Sequence, residues 1–265
     1  MSAVLTPEAT PQWLLLDVPG SPQSALNLQQ QFADVPRFSV FEGTDLHAVR
    51  ASGPLLVELS PRSMLGAECR REPLAWPGLL LASPAPMSQL LEHLQRMLTV
   101  TFSLHYKGLL SYYNPQTASY FFDVDDAGEL SRWLGPINQL HWYGGTWADQ
   151  ATGSLGWQHL VNPRLAVSGL AIEDSLSAGQ QARLQTCLLE RHAWHWCRST
   201  GRDYDLIWRH LQEGLEWGLS DSPVLDGWLR LRLQHPSATV PLDWPGYTQQ
   251  ERLDYLRNRW QSDSS

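Results

Sequence analysis

Residues 76–98 read WPGLLLASPAPMSQLLEHLQRML, and they decide the architecture of the first half of the chain. Gly78, Leu79, Leu80, Leu81 and Ala82 form an apolar run too short for a helix and bounded by Pro77 and by Ser83-Pro84. Such a run between breakers reads as a buried strand. Residues 83–86 supply a turn and helix-start chemistry. Met87, Leu90, Leu91, Leu94, Met97 and Leu98 then recur at three- and four-residue steps, the stripe of an amphipathic helix. A strand followed by a helix with one apolar face is a repeating part of a sheet covered by helices.

The same alternation extends outward in both directions. On the N-terminal side, residues 13–18 (WLLLDV) read as a strand closed by Pro19-Gly20, and residues 23–35 as a helix. Residues 37–42 (RFSVFE) read as a second strand, 46–51 as a short helix, and 55–59 (LLVEL) as a third strand. On the C-terminal side, residues 108–113 (GLLSYY) read as a strand closed by Asn114-Pro115. Residues 126–134 read as a helix, with Asp126 and Glu129 at capping-box spacing. Residues 137–143 and 157–161 read as further short strands. The expected fold is α/β, a mixed or largely parallel sheet flanked by helices.

From about residue 172 the texture changes. Residues 175–199 carry no proline, and residues 204–219, 224–234 and 247–260 form three more helical stretches joined by short Gly-, Asp-, Ser- or Pro-bearing connectors. An all-helical C-terminal lobe is therefore expected to follow the α/β lobe. The boundary is placed at 168/169, giving an α/β lobe over 1–168 and a helical lobe over 169–265.

Composition narrows the function. Hydrophobic residues at 43% against 17% charged mark a chain that folds rather than one that stays disordered. A net charge of −8 lacks the basic footprint of a nucleic-acid binder and gains nothing from an anionic membrane surface. No apolar run approaches the roughly 20 residues of a membrane helix, so no membrane insertion is expected. Residues 1–11 lack the basic and apolar regions of a signal peptide, and Cys69, Cys187 and Cys197 do not form a disulfide framework. Both point to a cytoplasmic location.

No complete catalytic set is legible. There is no G-x-S-x-G elbow, and Ser60 is followed by Pro61, which suits a turn. There is no phosphate loop, and Glu58 has no acid–base partner in the pattern. Asp123, Asp125, Asp126 and Glu129 begin like a calcium loop, but Leu134 stands where a bidentate glutamate is needed. His192 and His195 share a helix face, while Cys197 points away from it, so that cluster is read as two histidines on a half-buried face. No catalytic residue, metal or cofactor is expected.

The 13 tryptophans carry more information. Trp194 and Trp196 lie two apart on one helix and project to nearly opposite sides. A helix with a single apolar stripe cannot bury both. Trp208, Trp217 and Trp228 follow on the next two helices. These five are expected to supply protein-binding surface, because exposed aromatic patches mark interaction sites.

Several segments, taken in order, resemble a known family. Gly53-Pro54-Leu55-Leu56-Val57-Glu58-Leu59, Trp76-Pro77-Gly78-Leu79-Leu80-Leu81-Ala82-Ser83 and the helix over 87–98 are similar to successive motifs of the type VI secretion effector-chaperone family. So are Leu109-Leu110-Ser111-Tyr112-Tyr113-Asn114-Pro115-Gln116 and Trp133-Leu134-Gly135-Pro136-Ile137. This family is also called the adaptor or Tap proteins and was long catalogued as a domain of unknown function. The chain departs from it at Ser111, where the family has arginine, and at Asn114-Pro115-Gln116, where it has Asp-Pro-Arg. The turn at Tyr113, Asn114, Pro115 and Gln116 therefore keeps its shape-making residues but not their charge.

The resemblance implies a cytoplasmic bacterial adaptor that is not an enzyme. It would hold a cognate toxin effector and help load it onto a VgrG or PAAR-tipped spike. The helical lobe would help cradle the effector, and deletion of 172–265 is expected to abolish toxin co-purification if the remaining lobe stays folded. The alternatives are an immunity-type protein that neutralises a toxin, or an α/β enzyme built around Ser60, Glu58 or the His192–His195 pair.

Overall fold

The computed structural model describes residues 10–60, 64–103, 106–165, 175–241, 245 and 248–262. The chain forms two compact units, Met1–Leu188 and Leu189–Ser265.

The first unit is built on a six-stranded sheet. Its strands are β1 (Trp13–Leu16), β2 (Arg37–Ser39), β3 (Leu55–Glu58), β4 (Gly78–Ala82), β7 (Gln139–Gly144) and β8 (Gly156–Val161), in the spatial order β2-β3-β1-β4-β7-β8. Strands β5 (Thr99–Ser103) and β6 (Tyr106–Leu109) pair separately. The helices are α1 (Pro22–Gln31), α2 (Leu65–Arg71), α3 (Met87–Arg96), α4 (Pro115–Phe121), α5 (Ala127–Leu134) and α6 (Trp147–Thr152), with a 3-10 turn over His47–Ser52. The first turns of α7 (Ala178–Thr200) also belong here.

Strand alternation splits the core into two layers. Leu15, Leu56, Leu79, Leu81, Leu140 and Trp142 face α3, α4 and α5, where they meet Leu90, Leu94, Phe121, Trp133 and Leu134. The intervening residues Leu14, Leu16, Val57 and Leu80 face the other way, onto Leu28 of α1 and Leu65 and Cys69 of α2. Residues directly opposite share a face: Leu15 lies between Leu56 and Leu79, and Leu14 between Val57 and Leu80. The result is a sheet flanked by helices, as expected, followed by a helical C-terminal region.

Two local expectations change. All the pairings within the six-stranded sheet are antiparallel, so the parallel component is absent there. Unbroken apolar runs such as Gly78–Ala82, buried throughout, report that both faces are covered; they do not report direction. The strand expected over 108–113 stops at Leu109. Asn114 donates its backbone N–H to the Ser111 carbonyl at 3.0 Å, closing a turn that sends the chain into α4 with Pro115 at its start. Leu110, Tyr112 and Tyr113 remain buried as parts of that turn.

The second unit contains the rest of α7, α8 (Tyr204–Glu216), α9 (Ser222–Gln234) and α10 (Gln249–Ser262). Asp203 caps α8 by accepting the Leu206 N–H at 3.1 Å. Glu213 of α8 takes both forks of Arg232 of α9, at 2.7 and 2.9 Å. Ile207, Leu211, Trp228, Leu229, Leu253, Leu256 and Trp260 are buried within it. The units divide inside α7, some twenty residues beyond the 168/169 change of texture, because Gln180 and Leu184 of its first turns are buried in the first unit.

Candidate protein-binding site

Among the described residues, helices α1 and α2 cover only part of their side of the sheet. Leu14, Leu16, Val57 and Leu80 are sealed beneath them, but the two strands beyond, β7 and β8, present His141, Tyr143, Trp157 and His159 on that face. There a cleft of about 550 Å³ opens, lined by Thr10, Pro11, Arg70, Leu80, His141, Trp157, Gln158 and His159. No acidic side chain is among these lining residues, although the chain as a whole carries net charge −8.

The geometry of the two strands sets the site. His141 and His159 are opposite each other in the ladder, and their rings stack with centroids 4.3 Å apart and planes 18° from parallel. Tyr143 and Trp157 form the next pair on the same face, edge-on at 5.8 Å. Trp157 and Val161 are 45% and 48% exposed, which puts substantial apolar area on an edge strand. Arg70 projects from α2 at the cleft wall and makes no ion pair among the described residues, whereas its neighbour Arg71 is paired with Glu68 and Glu72. Cys69 beside it is buried, and desolvation pushes its thiol up to about 12, so it stays a protonated, inert packing group.

The expected motif turn is placed elsewhere and has a packing role. Asn114 caps α4 through the Thr117 N–H at 3.0 Å, Pro115 is buried at the first helical position, and Gln116 donates to Gln150 at 3.1 Å. Tyr113 is buried against Tyr112, edge-on at 5.8 Å. None of the four lines the cleft.

The five expected binding tryptophans are divided by the fold of the second unit. Trp228 is corrected outright: it is completely buried, and its indole N–H donates to the His210 carbonyl at 2.6 Å. It faces the centre of α8, α9 and α10 because α9 buries Val224, Leu225, Leu229 and Leu231 as well. Trp196 is half-buried and donates to Asp226 at 2.7 Å; Trp208 is half-buried and stacks on Tyr204 at 6.4 Å. Trp194, half-buried, lies edge-on to His195 with Arg198 over its ring, and Trp217 is half-buried at the end of α8. Trp194 and Trp196 lie on α7, Trp208 on α8 and Trp217 just past its end, and none of the four lines the cleft on β7 and β8.

The polar clusters considered for metal have other partners. Asp123 and Asp125 bind Arg183 at 3.0 and 2.9 Å, and Asp126 caps α5 by accepting the Glu129 N–H at 2.7 Å. His192 lies 3.2 Å from Asp226, which also holds Trp196. Among the described residues no group of three His, Cys, Asp or Glu is placed to hold a metal ion. No helix among them is long and apolar enough to cross a membrane.

Sequence reasoning did not anticipate Arg70, His141, Trp157 or His159 as a site. The available signal was the spacing of Trp157, His159 and Val161, which puts three exposed residues on one side of a strand.

No curated protein and no solved structure matches the chain. Residues 12–132, from just before β1 into the last turn of α5, match the model of the family described as "Domain of unknown function (DUF4123)".

Proposed function

We propose that this protein is a cytoplasmic adaptor chaperone: it binds a cognate type VI secretion effector and promotes its loading onto the VgrG or PAAR-tipped spike. The ordered motifs between residues 53 and 137 support this reading, and the family match over 12–132 spans most of them. The structural observation that carries it is the face of β7 and β8 that no described helix covers. An edge strand displaying Trp157 and Val161 at 45% and 48% exposure is an aggregation hazard unless another polypeptide uses it. The cleft lies on β7 and β8, beyond the matched segment, which supplies Arg70 and Leu80 to its wall. A common core with a recognition surface added outside it suits a chaperone dedicated to one cargo.

The test is genetic and biochemical together. The chain is isolated from its native cell, and any protein that co-purifies with it is identified and then co-expressed with it. Expected are a stoichiometric complex and, on deleting the gene, loss of export of that toxin with the producing cell unharmed. Self-poisoning of the deletion strain with export intact would instead identify an immunity protein. Absence of any complex would end the adaptor reading.

A further inference from the structure

We propose that two copies of this chain pair edge to edge through β8, antiparallel and in one register, with the two-fold axis passing between their two His159 residues. This goes beyond the adaptor reading and does not rest on it, because the pairing uses the backbone edge of β8 and not the cleft on the face of the sheet.

Two separate hydrogen bonds fix which way the backbone of β8 points. Asn162 donates its N–H to the Asn138 carbonyl at 2.8 Å, just beyond the end of the β7–β8 ladder. Asp17 donates its N–H to the Pro77 carbonyl at 2.9 Å, just beyond the end of the β1–β4 ladder. Hydrogen-bonded and non-hydrogen-bonded pairs alternate along an antiparallel ladder. Followed from β1 through β4 and β7, the second bond gives the same answer as the first. Gly156, Gln158 and Leu160 turn their N–H and C=O groups toward β7, and Trp157, His159 and Val161 turn theirs toward the outer edge. Among the described residues, no strand occupies that edge. The flanking chain turns off it at both ends: Ser154 donates back to the Asp149 carbonyl of α6 at 2.9 Å, and Leu165 donates to Ser131 of α5 at 3.0 Å.

A second copy is the occupant this edge fits. Only one antiparallel register uses all the outward residues: Trp157 opposite the partner's Val161, His159 opposite the partner's His159, and Val161 opposite the partner's Trp157. Each such pair exchanges both of its backbone hydrogen bonds, and a shift of the register loses a pair. Side chains agree with it. Trp157 and Val161 are exposed on the same face, so the register sets an aromatic ring beside a β-branched side chain, a favourable cross-strand pair, and two-fold symmetry forms it twice. Charge does not oppose it. Residues 156–161 (GWQHLV) include no Asp, Glu, Lys or Arg, so two chains of net charge −8 meet along a strand without like charges. The opposite edge of the sheet is built the other way. There β2 is only three residues long, follows Pro36 and begins at the exposed Arg37, all devices that block pairing between edges. None of them is present in the six residues of β8.

The experiment is sedimentation equilibrium of the full chain at micromolar concentrations, where a dimer is expected. His159→Lys and His159→Glu, each alone, set like charges against each other at the axis and should weaken the dimer about fivefold. Mixed in equal amounts the two variants should pair again, since lysine then faces glutamate, and that recovery also shows both chains to be folded. Only a residue on the two-fold axis meets its own copy, so this exchange reports the register as well as the edge. Val161→Lys, off the axis, should weaken the dimer with an unchanged thermal melt, because the side chain it replaces is exposed. A monomeric parent, a dimer indifferent to His159→Lys, His159→Glu or Val161→Lys, or His159 variants that stay apart when mixed would overturn the proposal. Effector binding is read separately. Effector retained by the monomeric variants leaves the adaptor reading in place, and a dimer that retains no effector ends that reading without touching this one.

Discussion

Asn114 donates its side-chain N–H to Asp17 at 2.8 Å, joining the end of β1 to the start of α4 across 97 residues of chain. Asp17 is buried, at 2% exposure, and its other oxygen accepts the Gly20 N–H at 2.9 Å. Burial raises its pKa, and the bonds from Asn114 and Gly20 pull it back. The amide of Asn114 is used at both ends, since its oxygen caps α4 through Thr117.

Asn114→Asp would keep the cap and lose the donor, leaving two carboxylates face to face. The expected cost at neutral pH is on the order of 3 kcal/mol, as for stranding a buried charge. The deficit should shrink on acidification, because Asp17 already has a raised pKa and takes up a proton first, restoring a donor between the two groups. Asn114→Ala should cost about 1 kcal/mol for the cap and a further 1–3 kcal/mol for the stranded acceptor. Urea unfolding midpoints at pH 7 and pH 5 measure both. An Asn114→Asp chain as stable as the original at pH 7 would show that the contact is dispensable.

His93 is expected to make the first unit acid-sensitive. Its Nε2–H donates to the Trp133 carbonyl at 3.0 Å and its Nδ1 accepts from Arg96 at 3.0 Å, the pattern of a neutral imidazole. Burial, with Arg96 adding to it, pushes its pKa down from 6.5 to about 4. The unfolded chain therefore takes up a proton below pH 6.5 that the folded chain refuses until about pH 4. Stability is flat with respect to this group above that window and is lost as pH falls through it, by at most about 3 kcal/mol. His93→Gln should remove this part of the slope, so the difference between the two chains in urea midpoint should narrow from pH 7.5 to pH 4.5. Parallel midpoints would contradict it.

What was readable beforehand follows the range of each interaction. The β4 run, the α3 stripe and the Asp126 cap are local patterns, and each became the expected element. Strand direction was not local: β1 pairs with β3 and β4, reached through intervening helices, and an apolar run has the same composition whichever way its neighbours point. Tryptophan exposure depends on tertiary partners too. Trp228 vanished into a core made by three helices, while Trp157 stayed exposed on a strand that no described helix covers. The His141–His159 pair needed the β7–β8 register, which places residues 18 apart in sequence opposite each other.

Gly214→Ala sets helix propensity against packing in the second unit. In the interior of α8, alanine is favoured over glycine by about 1 kcal/mol. Here a Cβ would lie 2.6 Å from Cδ1 of Trp228, a fully buried ring whose N–H is held by His210. The ring has no exposed side to move into, so overpacking should win, with a net loss of about 1–3 kcal/mol. Thermal unfolding of Gly214→Ala beside the parent measures the sign. A raised midpoint would mean that α8 and α9 can separate at no cost.

The position of the unit boundary changes how the helical lobe can be tested. A chain ending at residue 171 would lose Leu176 and Leu184 from the first core and Gln180 with them. Gln180 is fully buried; its oxygen accepts the Trp133 indole N–H at 3.0 Å, and its amide donates to the Phe121 carbonyl at 3.4 Å. Removing it strands a buried indole donor, at about 1–3 kcal/mol, and opens the core at two leucine positions that cost about 2–5 kcal/mol each in such series. That sum rivals the whole stability of an ordinary domain. A chain ending at residue 171 is therefore expected to lose effector binding by unfolding, whatever the helical lobe does, while one ending at residue 188 keeps these contacts and should unfold cooperatively in urea. Comparing the two by circular dichroism comes before any co-purification. If the 171 chain melts as cooperatively as the 188 chain, the first turns of α7 are not part of the first core.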